Sequence, residues 1–242
     1  MPLQLSLNGQ TRIIQALPLT PKDFASFGYV HENPQPDVHP SVEPVPDTLS
    51  PSAIRSDQVT AFKFLYPSIP LNLYQQAPSQ KPGETSLGVF VVATRPQDVR
   101  DGHYSVRLLE RHPFTTQTFS PMITPPGCSY LVLVAPSLPP PEERKDWGFP
   151  LKPDAQGHGT LQGSGLPDLS QLRAFVATGQ QAITYGAGTW HAPMVVLGPR
   201  GATMQFMASQ FSNGVREEDS QEVVFGGGED EGKGWIKVQL PE

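Results

Sequence analysis

Short apolar runs recur along the chain, rich in β-branched and aromatic residues. They lie at 11–17, 59–66, 87–94, 105–112, 130–135, 172–177, 182–185, 190–197 and 202–209. Proline or glycine clusters separate the runs, a pattern that is typical of the short strands of a β-sandwich or barrel. The sequence therefore predicts an all-β fold of the barrel or jelly-roll kind, with few helices.

One short stretch has the pattern of a helix start. Thr20 can cap the helix, Pro21 occupies its first position and Asp23 supplies an acid in the first turn. This combination is common at helix N-termini. We predict a helix that continues to Phe27 and ends at Gly28.

Two proline-rich segments interrupt the apolar runs, near 31–56 and 136–166. Both have few large apolar side chains to pack, so we expect surface insertions. The segment 226–242 begins as a glycine run and becomes acidic, which indicates a mobile tail. The remaining chain, 1–225, is predicted to form one domain that contains both insertions, because all-β domains of this length are common.

Charge and cysteine content narrow the classes of function. The formal net charge of −6 argues against a nucleic-acid binder, which needs basic surface to neutralise phosphates, so we expect a small-molecule ligand. A single cysteine, Cys128, rules out an intrachain disulfide and favours an intracellular protein. No membrane span, signal-peptide pattern or C-terminal peroxisomal signal is recognisable, so we expect a cytoplasmic protein.

The run 105–112 contains ionisable residues in an apolar pattern. On a strand, Val106, Leu108, Glu110 and His112 point to the same side. The two apolar members indicate that this side faces the interior. A buried acid and imidazole need a partner, a metal or a catalytic task.

Two more polar residues complete a candidate metal site. Gln117 follows the first group, and His191 follows a glycine-rich turn at 186–188. Glu110, His112, Gln117 and His191 resemble the two split metal motifs of cupin barrels, with Glu110 replacing a histidine and Gln117 a glutamate. Such a set can bind a divalent transition ion, although less tightly than one with three histidines. The alternative is a buried hydrogen-bonded cluster without metal.

Longer stretches resemble the ureidoglycolate lyase family. The first, 109–122, has that family's acid, Arg-His-Pro, Thr-Gln, aromatic and Pro-Met signature. The others match its opening, central strand and later motifs, with insertions similar to those of fungal members. The matching residues are Glu110-Arg111-His112-Pro113, Thr116-Gln117, Phe119, Pro121-Met122, Leu17-Pro18-Leu19, Phe24, Gly28, 130–135, Leu172-Arg173-Ala174-Phe175, Gly179, Tyr185, Trp190-His191 and Pro193.

This resemblance implies a cupin-like, homodimeric carbon–nitrogen lyase (an amidine-lyase). Its members split (S)-ureidoglycolate into glyoxylate and urea in allantoin and purine breakdown, with a divalent metal and no organic cofactor expected. Ala192 departs from the family, because bacterial members commonly have a second histidine directly after the one at His191. The mechanism must therefore rest on His191.

The reaction needs a base for the substrate hydroxyl, an acid for the departing nitrogen and a cation for the carboxylate. His112 and His191 suit proton transfer, and Glu110 is either the base or a metal ligand. Arg111 or Arg173 can pair with the carboxylate, although strand alternation turns Arg111 away from His112. The remaining substrate-binding candidates are Gln117, Tyr185 and Trp190, with the two aromatic rings as pocket walls.

Two other functions fit the same residues. An amidohydrolase would release ammonia and carbon dioxide from the same substrate. A cupin-like protein that binds a small carboxylate without turnover is the other alternative, favoured by the altered metal motif and by Ala192. Product analysis distinguishes all three functions.

Overall fold

The computed structural model describes residues 2–40, 53–56, 61–65, 70–139, 165–225 and 235–241. Within these ranges nearly all of the regular secondary structure is β-strand. The strands are β1 (Leu3–Leu5), β2 (Arg12–Pro18), β3 (Gly28–His31), β4 (Ala53–Ser56), β5 (Ala61–Phe64), β6 (Glu84–Ala93), β7 (Val99–Arg100), β8 (His103–Val106), β9 (Leu108–Arg111), β10 (Gln117–Ile123), β11 (Ser129–Ala135), β12 (Arg173–Ala177), β13 (Ala182–Tyr185), β14 (Trp190–His191), β15 (Val195–Leu197), β16 (Thr203–Ser212), β17 (Gln221–Phe225) and β18 (Ile236–Gln239). The helices are α1 (Pro21–Phe24) and α2 (Arg216–Asp219), and single 3-10 turns lie at Tyr74–Gln76, Pro96–Asp98 and Leu169–Gln171.

The larger sheet runs in the order β1-β17-β9-β14-β11-β12-β2-β18-β8-β7, with β15 paired to β11. Only Arg107 separates β8 from β9, although these strands lie near opposite ends of the sheet order. The sheet must therefore curl back on itself. The enclosed apolar cluster, here called the barrel core, includes Leu109, Leu133, Trp190 and Val238.

The smaller sheet, β3-β13-β10-β16-β6, packs on the other face of the larger one. Between them lies a second apolar cluster, the inter-sheet core, with Val132 and Phe175 from one sheet and Phe119 and Phe206 from the other. Strand β11 is buried on both faces, which explains its nearly continuous apolar sequence. The prediction of an all-β fold with few helices is confirmed.

The helix prediction is confirmed at its start and wrong at its end. Thr20 caps α1 by accepting a hydrogen bond from the Asp23 amide, as its sequence predicts. The helix is one turn long and ends at Phe24. Gly28 begins β3, which pairs with β13, so tertiary pairing replaces the expected last helical turn.

The expected tail at 226–242 needs a correction. Ile236–Gln239 form β18, which pairs in parallel with β2 and antiparallel with β8. Ile236 and Val238 are fully buried in the barrel core, so these four residues are a structural strand. Residues 226–234 of the tail, and most of the two expected insertions, lie outside the described residues. No described helix is long and apolar enough to span a membrane.

Candidate active site

The structure brings together three of the residues that the sequence analysis grouped. Glu110 on β9 and His191 on β14 are cross-strand partners, so their side chains project from the same face of the larger sheet. His112 follows β9, and its ring centroid lies 5.4 Å from that of His191. The candidate ligand atoms of the three residues all lie within 4.8 Å of one another.

Val106 does not share this face, and that expectation is wrong. Val106 and Leu109 both pack in the barrel core, so strand alternation is broken between them. The break falls at Arg107. Before this residue β8 pairs with β18, and after it β9 pairs with β17. Alternation from Leu109 onward then turns Glu110 to the opposite face.

His191 is held in one tautomer. Its Nδ1 lies 3.0 Å from the carbonyl oxygen of Thr189, which can only accept, so Nδ1 carries the proton. The Tyr185 ring stacks on the imidazole, with centroids 3.9 Å apart and planes 12° apart. Burial lowers the pKa of His191 to about 3, and His112 adds to this decrease. The neutral ring therefore presents an unprotonated Nε2 to the site.

His112 is fixed in the same way by α2. Its Nδ1 donates to the carbonyl oxygen of Asp219 over 2.7 Å. The Asp219 carboxylate accepts hydrogen bonds from the Tyr74 hydroxyl and from the amides of Asn213 and Gly214. These bonds fix the residue whose carbonyl orients His112.

The glycine-rich turn before His191 forms hydrogen bonds to two other segments of the chain. Gly188 has a φ of +79°, a conformation that favours glycine, and its amide donates to the carbonyl oxygen of His112. The Gly186 amide and the Thr189 hydroxyl both donate to the carbonyl oxygen of Phe27. The predicted turn thus holds both histidines in register.

Three buried acceptor atoms point into the site without a hydrogen-bond partner among the described residues. They are Nε2 of His112, Nε2 of His191 and Oε1 of Gln117. Gln117 pairs with Tyr185 across the strands, and its amide nitrogen donates to Gln210. Buried polar atoms normally have partners, so this group is arranged to receive a donor or a cation.

Glu110 is the most exposed member of the cluster, with 23% of its side chain accessible, so it marks the entrance. Burial raises the pKa of its carboxyl group; His112 opposes this increase and Glu222, its cross-strand partner on β17, adds to it. The Glu110 Oε1 lies 3.8 Å from Nε2 of His191. Because that imidazole is neutral, the contact is not an ion pair, and both groups remain available to a ligand.

Arg111 and Trp190 lie on the opposite face of the same two strands, which corrects their assignment as substrate-binding residues. The Arg111 guanidinium is buried 4.8 Å from the Trp190 ring centroid. It donates to Gln221, Ser137 and the carbonyl oxygen of Gly165. Alternation along β9 and β14 directs both side chains into the barrel core, away from His191.

Arg173 and Tyr185 lie on the same side of the larger sheet as Glu110 and His191. Val134 pairs with both His191 and Arg173, so all three side chains project from the same face, with β11 between the outer two. Arg173 is exposed. Tyr185 forms the wall behind His191.

The chain matches a known family along most of its length. A family model described as ureidoglycolate lyase matches residues 11–229. The chain belongs to the ureidoglycolate lyase family. A relative from Schizosaccharomyces pombe, named ureidoglycolate lyase, is 33% identical over 215 residues, which cover 88% of this chain and 91% of that protein.

Other ureidoglycolate lyase relatives match over shorter stretches. The Saccharomyces cerevisiae protein of that name is 43% identical over 96 residues, or 39% of this chain and 36% of its own length. One from Burkholderia mallei is 33% identical over 95 residues, or 39% of this chain and 38% of its own length.

The position of Ala192 explains how this member of the ureidoglycolate lyase family can lack the second histidine. Ala192 packs in the barrel core, and its amide donates to Leu133. It thus lies on the face opposite His191. On this backbone a histidine at position 192 would point away from Glu110 and His112, so its absence removes no group from the cluster.

Several site residues were not found from the sequence. Asp219 and Thr189 act through backbone carbonyls, which carry no residue-type signal. Glu222 and Gln210 reach the site through strand pairing, which a single sequence does not reveal. The acidic run 217–219 in α2 was the one available signal for Asp219.

Proposed function

We propose that this chain is a ureidoglycolate lyase that cleaves (S)-ureidoglycolate into glyoxylate and urea during allantoin breakdown. One observation supports this activity most directly. Glu110, His112 and His191 converge in a buried site whose imidazole Nε2 atoms have no described partner, in a chain that matches relatives of this name. The site thus offers acceptors and a carboxylate to a small polar substrate.

The chemistry requires one proton to move. The substrate carbon bears a hydroxyl, a carboxylate and a urea nitrogen. When a base removes the hydroxyl proton, a carbon–oxygen double bond forms, the carbon–nitrogen bond breaks and its electron pair stays on nitrogen, which takes a proton. Glu110 suits both transfers, because its raised pKa favours proton uptake from the hydroxyl and it can then donate to the nitrogen.

We assign the histidines the task of orienting the substrate, in place of the proton transfer that their residue type suggests. Both imidazoles have Nδ1 bound to a backbone carbonyl, and His191 is neutral at physiological pH because its pKa is about 3. The Nε2 atom of His191 therefore accepts a hydrogen bond from the substrate hydroxyl or a urea N–H group, or binds a cation. Either interaction orients the substrate against Glu110.

A divalent metal fits the same residues. His112, His191 and Glu110 would hold it, with Gln117 on the same side of the pocket, as in the cupin-like motif. The carbonyl partners of both Nδ1 atoms provide the outer contacts that metal-binding histidines usually have. When bound, the ion would supply Lewis-acid polarisation of the substrate oxygens. Equilibrium dialysis with Zn²⁺ or Mn²⁺ should show one site that His112→Ala abolishes.

Arg173 is our candidate for the substrate carboxylate. It projects from the same sheet face as His191, is exposed at the rim, and carries a charge that pairs well with carboxylates. Arg173→Gln should raise KM at least about tenfold with a smaller effect on kcat. An unchanged KM would exclude this role.

We further propose that the enzyme is a homodimer joined through β6. This ten-residue strand pairs only with β16 among the described strands, and Leu87, Val89 and Val91 are 69%, 59% and 64% exposed. Such an apolar edge strand needs cover, and a two-fold axis can pair it with its own copy. Val89→Glu should convert a dimer into a monomer in analytical ultracentrifugation; a monomeric parent protein would refute the dimer.

A cytoplasmic location fits the single cysteine, since disulfide-stabilised folds belong to oxidising compartments. Imaging of the chain fused to a fluorescent protein tests this location. A signal confined to an organelle would contradict it.

The decisive experiment follows urea, glyoxylate and ammonia together in a steady-state assay on racemic ureidoglycolate. We expect urea and glyoxylate in equal amounts, and at least about 10²-fold slower turnover for Glu110→Gln. Glu217→Gln, an exposed acid on α2, is the matched control and should leave the rate unchanged. Ammonia as the product would indicate the amidohydrolase, and binding without any product would indicate a small-carboxylate-binding protein.

A further inference from the structure

A basic surface forms where β7, β8 and β18 meet, on the outside of the larger sheet. Strand pairing places Arg100 beside His103 and Lys237 beside Ser105. The alternate residues of β8 and β18, such as Val106 and Val238, pack in the barrel core. The polar side chains therefore project together from the opposite, outer face.

These side chains surround a cavity of about 330 Å³. Its lining is Gln97, Asp98, Arg100, His103, Ser105, Arg107, Trp235 and Lys237. Three of these residues are permanent cations and one is a carboxylate, in a chain whose net charge is −6. A cleft lined mainly by cationic side chains concentrates anions, here against the net negative charge of the chain.

The one carboxylate that lines the cavity already forms ion pairs with two arginines. The Asp98 side chain is only 5% exposed and lies 2.8 Å from Nε of Arg95 and 3.6 Å from the guanidinium of Arg107. Arg100 and Lys237 have no ion pair of this kind among the described residues. Their charges, with the Ser105 hydroxyl, are therefore available to a ligand.

We propose that this cavity binds a small multivalent oxyanion, such as a phosphate ester or a polycarboxylate, at a site separate from Glu110, His112 and His191. Arg100 and Lys237 neutralise the oxyanion, Arg100 can bind two of its oxygens at once, and the Trp235 indole forms a flat wall for a planar group. The volume is within the range of small-molecule sites. The catalytic cluster faces the inter-sheet side, so the two sites can be filled independently.

Isothermal titration calorimetry with inorganic phosphate, citrate and adenosine monophosphate tests the site and distinguishes the sources of the oxyanion. We expect saturable binding of at least one probe at millimolar or lower concentration. Arg100→Gln and Lys237→Gln should each weaken it at least about tenfold, the effect of one lost charge-assisted contact. Lys22→Gln, an exposed lysine on α1, and His191→Ala should leave the affinity unchanged.

Three outcomes would overturn this site. One is the absence of saturable binding for all three probes. Another is equal weakening by Lys22→Gln and Lys237→Gln, which would indicate diffuse attraction to surface lysines. The third is loss of binding in His191→Ala, which would place the anion in the catalytic cluster. None of these results depends on whether the chain turns over ureidoglycolate.

Discussion

Neighbouring residues of β9 and β14 face two sides of the same sheet and meet opposite surroundings. On one side, Glu110 and His191 lie among buried acceptor atoms that have no described partner. On the other side, Arg111 and Trp190 pack together and direct their N–H groups to protein acceptors. One side is arranged for a ligand and the other for the fold.

This difference separates two reasons for burying a polar group. A buried guanidinium with several acceptors stabilises the chain segments that it joins, here near Ser137, Gly165 and Gln221. A buried imidazole with an unpartnered Nε2 costs stability until something binds it. Strand alternation keeps the two arrangements one residue apart. Substitutions on the Arg111 side should therefore lower mainly stability, and substitutions on the His191 side should lower mainly turnover.

The largest expected effect is on stability, from Arg111→Met. It leaves the side-chain oxygen of Gln221 without its guanidinium donor and removes one of the two donors to the carbonyl oxygen of Gly165, so we expect the free energy of unfolding to fall by about 3 kcal/mol or more. Urea melts measure this loss, and Arg200→Met, at an exposed turn, is the control. Turnover per folded molecule should stay within about twofold; a tenfold loss would return Arg111 to the site.

For His191→Ala we expect the reverse, a loss of turnover with little loss of stability. We expect turnover to fall at least about 10²-fold, or about 2.7 kcal/mol of transition-state stabilisation, in a protein that remains folded, because the substrate loses an orienting contact. Trp190→Phe is the neighbouring control, because it removes the bond to Gly165 in the barrel core and should lower stability while turnover is kept. Normal turnover by folded His191→Ala would remove this residue from the mechanism.

The third prediction concerns pH in the presence of a chelator. The pKa of His191 is about 3 in the folded state and about 6.5 when unfolded, so between these values the unfolded chain binds the extra proton. Its contribution to stability is complete above pH 6.5 and is lost as pH falls below that, by about 1.4 kcal/mol per pH unit. Urea melts at pH 7, 6 and 5 should show a shallower decrease for His191→Gln. Parallel profiles would contradict the low pKa.

The smallest effect is expected for Tyr74→Phe, which removes the hydroxyl that binds Asp219. Tyr130→Phe is the matched control, since it loses one buried hydroxyl bond to the Gln181 carbonyl. Both should lower the free energy of unfolding by about 1 kcal/mol. Only Tyr74→Phe should reduce turnover several-fold, because Asp219 orients His112. Equal turnover in the two variants would show that this support is structural alone.

Much of the strand content could be predicted from the sequence. The strand 182–185 was located in full, because a short apolar run with turn signals at both ends favours a strand over other secondary structure. Strand β10 was missed, since Pro121 and two hydroxyl residues, Thr118 and Ser120, mask its alternation. The break at Arg107 was also missed, because it results from a change of pairing partner, which depends on distant strands.

The site was predictable in its chemical groups and less so in their orientation. Glu110, His112 and His191 stand out as ionisable residues in apolar runs. The sequence leaves the orientation of Arg173 open, and only the pairing of β11 with β12 and β14 shows that it shares the face of His191. Tertiary register therefore decides which candidates can meet a substrate.

The place of β18 between β2 and β8 has a consequence for biosynthesis. Arg12 is paired with Ile236, so a ribosome must make more than 200 intervening residues before this seam of the sheet can close. Contacts so distant in sequence slow folding, and until they form, the nascent chain exposes the edges of both neighbouring strands. We therefore expect this protein to depend on chaperones during synthesis more than a helical protein of equal length does.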